Sequence, residues 1–251
     1  MARTVADEKK TLRAILSESR DALSIESAAA LSEIIQRRVI ESEFYRAASA
    51  VVLYASKGNE VSTDIILADS LSAGRAVFYP RVDAERGTIV ARRVRSSAEL
   101  QSGAYDILEP SESADALEPS GAADVAESAK FRHIIICVPG VAFGLEGQRL
   151  GRGGGHYDRF IAELGDDAIS VGLAYSFQLL DRIPETGLDR RLNYILTESA
   201  VHRACDAPLP APGTRTKEVH PGGFNHRNPG IHSWWRGLFH LGDNETAQGR
   251  R

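Results

Sequence analysis

Cysteine is scarce in this 251-residue chain. Cys137 lies inside the apolar run HIIICVP and Cys205 beside a polar stretch, and two thiols so placed build no disulfide framework. A reducing compartment fits this usage, and the cytoplasm is the expected address. Long apolar runs are also missing at the start: MARTVADEKKTLRAILSESR mixes charges with single apolar residues, which argues against a secretory signal or a membrane anchor. Positive charge is not in excess. A formal net charge of -4 provides no overall cationic field of the kind that sequence-independent nucleic-acid binding needs, so any basic site is local. No internal repeat is visible, which removes solenoids and propellers. The expected partner is a small-molecule substrate, with no nucleic acid and no membrane, for a monomer or weak homo-oligomer.

What is present is apolar material, 43% of the residues, sufficient for a proper core. Residues 5–20 place Leu12, Ile15 and Leu16 on one helical stripe, with Lys9 and Arg13 four apart on a neighbouring face. Ser24 is placed to cap a second helix running to Phe44. The run AVVLYAS, residues 50–56, reads as a strand covered on both faces, and Thr63 as the N-cap of a helix over DIILADSL that Gly74 ends. Further strands are expected at 75–80, 88–94, 133–138, 169–174 and 193–197. Alternation of strands with helices predicts an α/β fold, a single three-layer α/β/α domain with a mainly parallel sheet, over residues 1–201. Ligands of such sheets bind at the carboxyl ends of the strands, so the loops after Tyr54, Tyr79 and Val138 should share one rim. Residues 111–129 lose all periodicity and read as a low-complexity surface insert. From His202 onward the chain holds five of its ten prolines, five of its seven histidines and both tryptophans, which predicts a separate, poorly ordered tail over 202–251. The histidine spacings there fit no compact tetrahedral zinc motif.

The most informative stretch is RLGRGGGHYD, from Arg149 to Asp158, just before a helix predicted to begin near His156. Gly151, Gly153, Gly154 and Gly155 let the backbone turn sharply and approach a ligand, and N–H groups at a helix start point at an anion. Arg149 and Arg152 add two planar guanidinium forks suited to phosphate oxygens. These features describe a phosphate cradle. It is not a P-loop, because no Lys-Ser or Lys-Thr follows the glycines, and not a dinucleotide fingerprint, because about ten residues separate Pro139 from Arg149. Asp158 sits in the first helical turn, where the helix dipole favours a carboxylate in any case; alternatively it holds a magnesium ion together with nucleotide phosphates. Tyr157 either stacks on a flat ring or packs against the core.

The string PGVAFGLEGQRLGRGGGHYDRF resembles the hallmark of the 5-formyltetrahydrofolate cyclo-ligase family, also called methenyltetrahydrofolate synthetase. KKTLR with Arg20 and Leu23 downstream, YASKGNEVST, VFYPRV, ILEP and VGLAYSFQLLDRIPETGLDRRLNYILT match in the family's order, across most of residues 8–200. The resemblance implies an enzyme in which ATP phosphorylates the formyl oxygen of 5-formyltetrahydrofolate, the 10-nitrogen attacks the iminium phosphate, and loss of phosphate leaves the methenyl bridge. It implies ATP and Mg2+ as cofactors. ATP would be contacted by Lys9, Arg13 and the loop Arg149, Leu150, Gly151, Arg152, Gly153, Gly154, Gly155, His156 and Tyr157, with Arg149 and Arg152 catalytic. Glu60, and His156 again, would contact the folate; Asp158 and Asp189 would bind the metal. Three departures stand out: His156 replaces a usual tyrosine, Gly144 replaces the acid usual after Ala-Phe, and Ser56 and Lys57 are less hydrophobic than the family's segment. The alternative is a non-catalytic regulator or RNA adaptor of the same fold that keeps ATP or folate binding.

Overall fold

The computed structural model describes residues 4–83, 87–103, 107–117, 131, 133–165 and 168–204. Its elements are, in order, α1 (Val5–Asp21), α2 (Ile25–Glu41), α3 (Glu43–Ala47), β1 (Ala50–Val52), α4 (Asp64–Ser72), β2 (Ala76–Asp83), β3 (Thr88–Val94), β4 (Gln101–Ser102), β5 (Leu108–Glu109), β6 (Ile134–Val138), β7 (Ala142–Gly144), β8 (Arg149–Leu150), α5 (His156–Leu164), β9 (Ala168–Leu173), β10 (Leu179–Leu180), β11 (Tyr194–Leu196) and β12 (Val201–Arg203). A sheet of order β12-β11-β9-β6-β1-β2-β3 forms the centre. Its interior pairings, β11·β9, β9·β6, β6·β1 and β1·β2, are parallel, and antiparallel strands close both edges.

The three layers follow from the two-residue period of the strands. Val51, Val77, Tyr79, Ile135 and Cys137 face a cluster shared with Ile35 and Val39 of α2, Phe44 and Tyr45 of α3, and Ile66 of α4. Ala50, Val52, Phe78, Ile134, Ile136 and Val138 face Phe160 and Leu164 of α5 on the other side. All five residues of β6 are buried, as a parallel strand covered on both faces requires. Burial of each such large aliphatic side chain contributes roughly 1.5–3 kcal/mol. A third cluster seats Leu16 of α1 against Val141, Ala142, Leu150 and Ile183.

Several local expectations are corrected. The second helix breaks at Ser42 before Phe44: Ser42 is extended (φ -71°, ψ 148°), and its hydroxyl accepts from the Tyr45 N–H to start α3. The ladder of β1 ends at Val52, with residues 53–56 outside it. Thr63 occupies the cap position of α4 without capping it, since its hydroxyl donates to the Tyr54 carbonyl at 2.8 Å. Gln36 of α2 replaces it, its Oε1 accepting from the N–H groups of Ile65 (2.8 Å) and Ile66 (3.4 Å). The segment after Val138, expected as plain loop, contains β7 and β8 as an antiparallel pair, with β10 added parallel to β7. The expected surface insert is mostly exposed over 111–116, but Leu117 joins the core: its N–H donates to Ala91 O and its side chain is buried. Residues 118–129 of that insert lie outside the described residues. The sheet continues through β12 past the expected boundary at 201, and the remainder of the tail lies outside the described residues.

Candidate active site

The glycine loop begins on β8 and ends at α5. Gly153 (φ +117°) and Gly155 (φ +66°, the N-cap of α5) adopt backbone conformations that side chains resist, so the loop closes onto the helix at the expected residue. Helix α1 is tied to it from the side. Its N-terminus is fixed by a capping box between Thr4 and Asp7, and one helical turn apart Lys9 and Arg13 reach two different loops. Arg13 Nε donates to Gly151 O at 2.8 Å, whereas Lys9 Nζ lies 2.5 Å from Asp189 Oδ2.

The two expected metal acids are each engaged by an expected ATP cation. Asp158 Oδ2 accepts from Arg149 Nη2 at 2.8 Å, and its Oδ1 accepts from the Arg190 N–H at 3.1 Å. That second bond draws the Asp158 carboxylate onto the loop that carries Asp189. Burial alone would raise the Asp189 carboxyl; hydrogen bonds from Lys9 Nζ and from the Thr186 N–H and hydroxyl outweigh it and hold the group below the ordinary carboxylate value. Arg149 is buried, its guanidinium 5.6 Å from the centroid of the Tyr157 ring. Of the two roles open to Tyr157, packing is the one seen, against the cluster of Phe160 and Leu164, and burial raises its phenol well above the ordinary tyrosine value. The Leu150 side chain is likewise buried, which leaves only its backbone to face a ligand.

Glu60 belongs to a loop pinned at several points. Tyr54 OH donates to Val61 O, and Asn59 Nδ2 donates to the carbonyls of Arg20 and Leu23 at the end of α1. The Glu60 carboxylate accepts from the Lys57 N–H at 3.0 Å and from Arg152 Nη2 at 2.7 Å, with Arg20 Nη1 at 3.5 Å. Arg152 thus joins the glycine loop to the Glu60 loop, 92 residues away in sequence. Beside Glu60 runs a narrow crevice lined by Arg20, Tyr54, Pro139, Gly140 and Gln178, at the carboxyl ends of β1, β6 and β9.

A model of the 5-formyltetrahydrofolate cyclo-ligase family matches residues 5–198. The chain belongs to that family. It is 29% identical over 206 residues to the 5-formyltetrahydrofolate cyclo-ligase of Mus musculus, covering 78% of this chain and 97% of that one. It is 28% identical over 215 residues to the mitochondrial 5-formyltetrahydrofolate cyclo-ligase of Arabidopsis thaliana, covering 79% and 76%. Among solved structures, the 5,10-methenyltetrahydrofolate synthetase of Aquifex aeolicus superposes with a TM-score of 0.65 at 32% identity, covering 86% of this chain and 99% of that one.

Against this cyclo-ligase frame the departures acquire physical content. His156 Nδ1 lies 2.9 Å from the Gly87 carbonyl, which Arg159 Nη2 also contacts, so the imidazole ties α5 to the β2–β3 hairpin. A Cβ at Gly144 would overlap the Gln148 side chain, which fills the space an acid there would take. Arg20, Gln178 and the Arg190 N–H are the parts of the site that sequence reasoning left without a role. For Arg20 the available signal was its spacing after KKTLR; for the other two there was none, because both act through long-range contacts. Among the described residues no helix is long and apolar enough to cross a membrane.

Proposed function

We propose that this chain closes 5-formyltetrahydrofolate to 5,10-methenyltetrahydrofolate with consumption of ATP and release of ADP and phosphate, in the presence of magnesium. One observation carries the reading: Lys9 and Arg13 of α1, Arg149 and Arg152 of the glycine loop, Asp158 of α5, and Glu60 and Asp189 on two further loops are linked by three ion pairs and one hydrogen bond to the loop backbone. The cations neutralise the triphosphate, with the bends at Gly153 and Gly155 letting backbone amides come close to it. Asp158, in the first turn of α5, accepts from the N–H of Arg190, the residue after Asp189, so the chain offers two hard oxygen donors on neighbouring elements to a cation that would complete its shell with phosphate oxygens and water. Magnesium, if held by Asp158 and Asp189, would supply charge neutralisation at the phosphates.

The chain itself positions and neutralises. Lys9 and Arg149 release Asp189 and Asp158 as they take up phosphate oxygens. Arg152, with an exposed side chain, moves from Glu60 toward the transferred phosphoryl group, and Glu60 accepts hydrogen bonds from the pterin ring. The covalent steps belong to the formyl oxygen and the 10-nitrogen of the substrate, so the protein needs no nucleophilic side chain.

The test is direct. Pure protein incubated with 5-formyltetrahydrofolate, ATP and magnesium should develop the methenyl chromophore, with one ADP formed per methenyl product. Binding of both ligands without product would instead make the chain a binding module.

A further inference from the structure

Arg20 is the last basic residue of α1, and its side chain is only 9% exposed. Three other arginines, Arg38, Arg92 and Arg149, also have a buried Nε without a hydrogen-bond partner. Each of those still donates through a terminal nitrogen, to Glu198 O, Ala114 O and Asp158 respectively. Arg20 differs: among the described residues its guanidinium makes no hydrogen bond. Its charge is met only at longer range, by Glu60 Oε1 at 3.5 Å and Asp21 Oδ1 at 3.8 Å. The guanidinium is therefore ion-paired but keeps N–H donors that nothing among the described residues accepts from, which a ligand with an acceptor can use.

The location permits it. Arg20 and Glu60 share the edge of a crevice with Tyr54, Gly140 and Gln178, one too narrow to admit water as it stands, so a ring edge would be met at its rim. Glu60 accepts only, and with two hydrogen bonds on its carboxylate it retains lone pairs for more. Arg20 donates only. An acceptor and an unused donor side by side complement a ring amide edge, in which an N–H adjoins a carbonyl. Building on the function proposed above, we infer that Arg20 is a specificity-determining residue for the pterin: it donates to the ring carbonyl while Glu60 accepts from the adjacent ring N–H and amino group. Gln178 is spoken for, since its Nε2 donates to Val141 O and its Oε1 accepts from the Tyr175 N–H, which leaves Arg20 as the donor.

The experiment measures equilibrium binding of two probes by titration calorimetry, without ATP: 5-formyltetrahydrofolate and its 4-amino analogue, in which an amino donor replaces the ring carbonyl and the adjacent ring nitrogen loses its hydrogen, so that the share of the preference owed to Arg20 is read from the variants. Wild-type protein should prefer the oxo compound by at least about tenfold, since the amino compound forfeits both the carbonyl that Arg20 donates to and the ring N–H that Glu60 accepts from. Arg20→Met should lose about tenfold or more in affinity for the oxo compound, lose little for the amino compound, and bind ATP as before. Arg20→Lys, which keeps a donor, should recover part of the preference. Equal weakening toward both probes, or an unchanged preference in Arg20→Met, overturns the assignment. So does a wild-type protein that turns over substrate but does not discriminate between the probes, a result independent of how well any variant folds. Wild-type protein that binds neither folate and yields no methenyl product overturns the proposed function itself, and this inference with it.

Discussion

Lys9 and Asp189 meet at 2.5 Å although 180 residues separate them in sequence. Arg149 and Asp158 repeat the arrangement on the neighbouring loop at 2.8 Å. Each carboxylate proposed for magnesium is therefore held by a cation proposed for ATP, and nucleotide and metal must compete with these pairs or dissolve them together. Asp189→Asn frees Lys9, so in the presence of a chelator ATP affinity should rise about two- to fivefold, the scale of a partly exposed ion pair. With magnesium present the same variant should lose at least about tenfold. Calorimetric titration under the two conditions checks this, and changes of the same sign in both would overturn it.

The same pair sets a dependence on pH. The Asp189 carboxyl is held below its ordinary value, so its stabilising contribution is fully present above that value, about 4, and is lost as pH falls through the lower folded value. The Tm difference between wild type and Asp189→Asn should be constant above about pH 5 and shrink below about pH 4, in thermal melts from pH 6 to 2.5.

Arg149 and Arg152 should separate stability from turnover. Arg149 is 5% exposed at the side chain, and removing it leaves Asp158 without its counterion, so Arg149→Ala should lower stability by roughly 3 kcal/mol. Arg152 is 52% exposed and joined to Glu60, so Arg152→Ala should change stability by less than about 1 kcal/mol while lowering kcat roughly 100-fold or more. Denaturant melts and the methenyl assay on both variants decide the point.

Gln36 should matter to α4 although the two elements are distant in sequence. Gln36→Ala leaves the Ile65 and Ile66 N–H groups without their acceptor and should cost about 1–2 kcal/mol, a Tm reduction of several degrees with turnover kinetics preserved. An unchanged Tm would show that Thr63 or water caps the helix instead.

Cys137 should be inert in the native protein. Burial in β6 pushes its thiol up to about 12, so in a Cys205→Ser background at pH 8 its reaction with a disulfide reagent should be at least about a thousandfold slower than that of a free thiol, and unfolding should restore it.

Much of this architecture is legible in the order of residues. The stripe of Leu12 and Leu16, though not its third expected member Ile15, which is exposed, the unbroken burial of β6, the edge strand Thr88–Val94 and the start of α5 at His156 each follow from a local pattern. The loop from Arg149 to Asp158 announces itself because glycines, arginines and an acid lie within one short segment. Where reading failed locally, a distant group had displaced the local one. Thr63 turns its hydroxyl to the Tyr54 carbonyl because Gln36 already satisfies the helix start. Leu117 emerges from a stretch of nonperiodic composition because the edge strand offers it the Ala91 carbonyl and a place in the core.

The sequence by itself determined the chemical inventory: which cations, acids and flexible backbone the chain possesses, and the helical and strand periods that carry them. Only the tertiary structure decided the partners. Lys9 with Asp189, Arg152 with Glu60 and Arg20 beside the crevice join residues of elements far apart in the chain that packing brings together. A one-dimensional pattern records the period of each element but not the distance between elements, and charge pairing is a matter of distance.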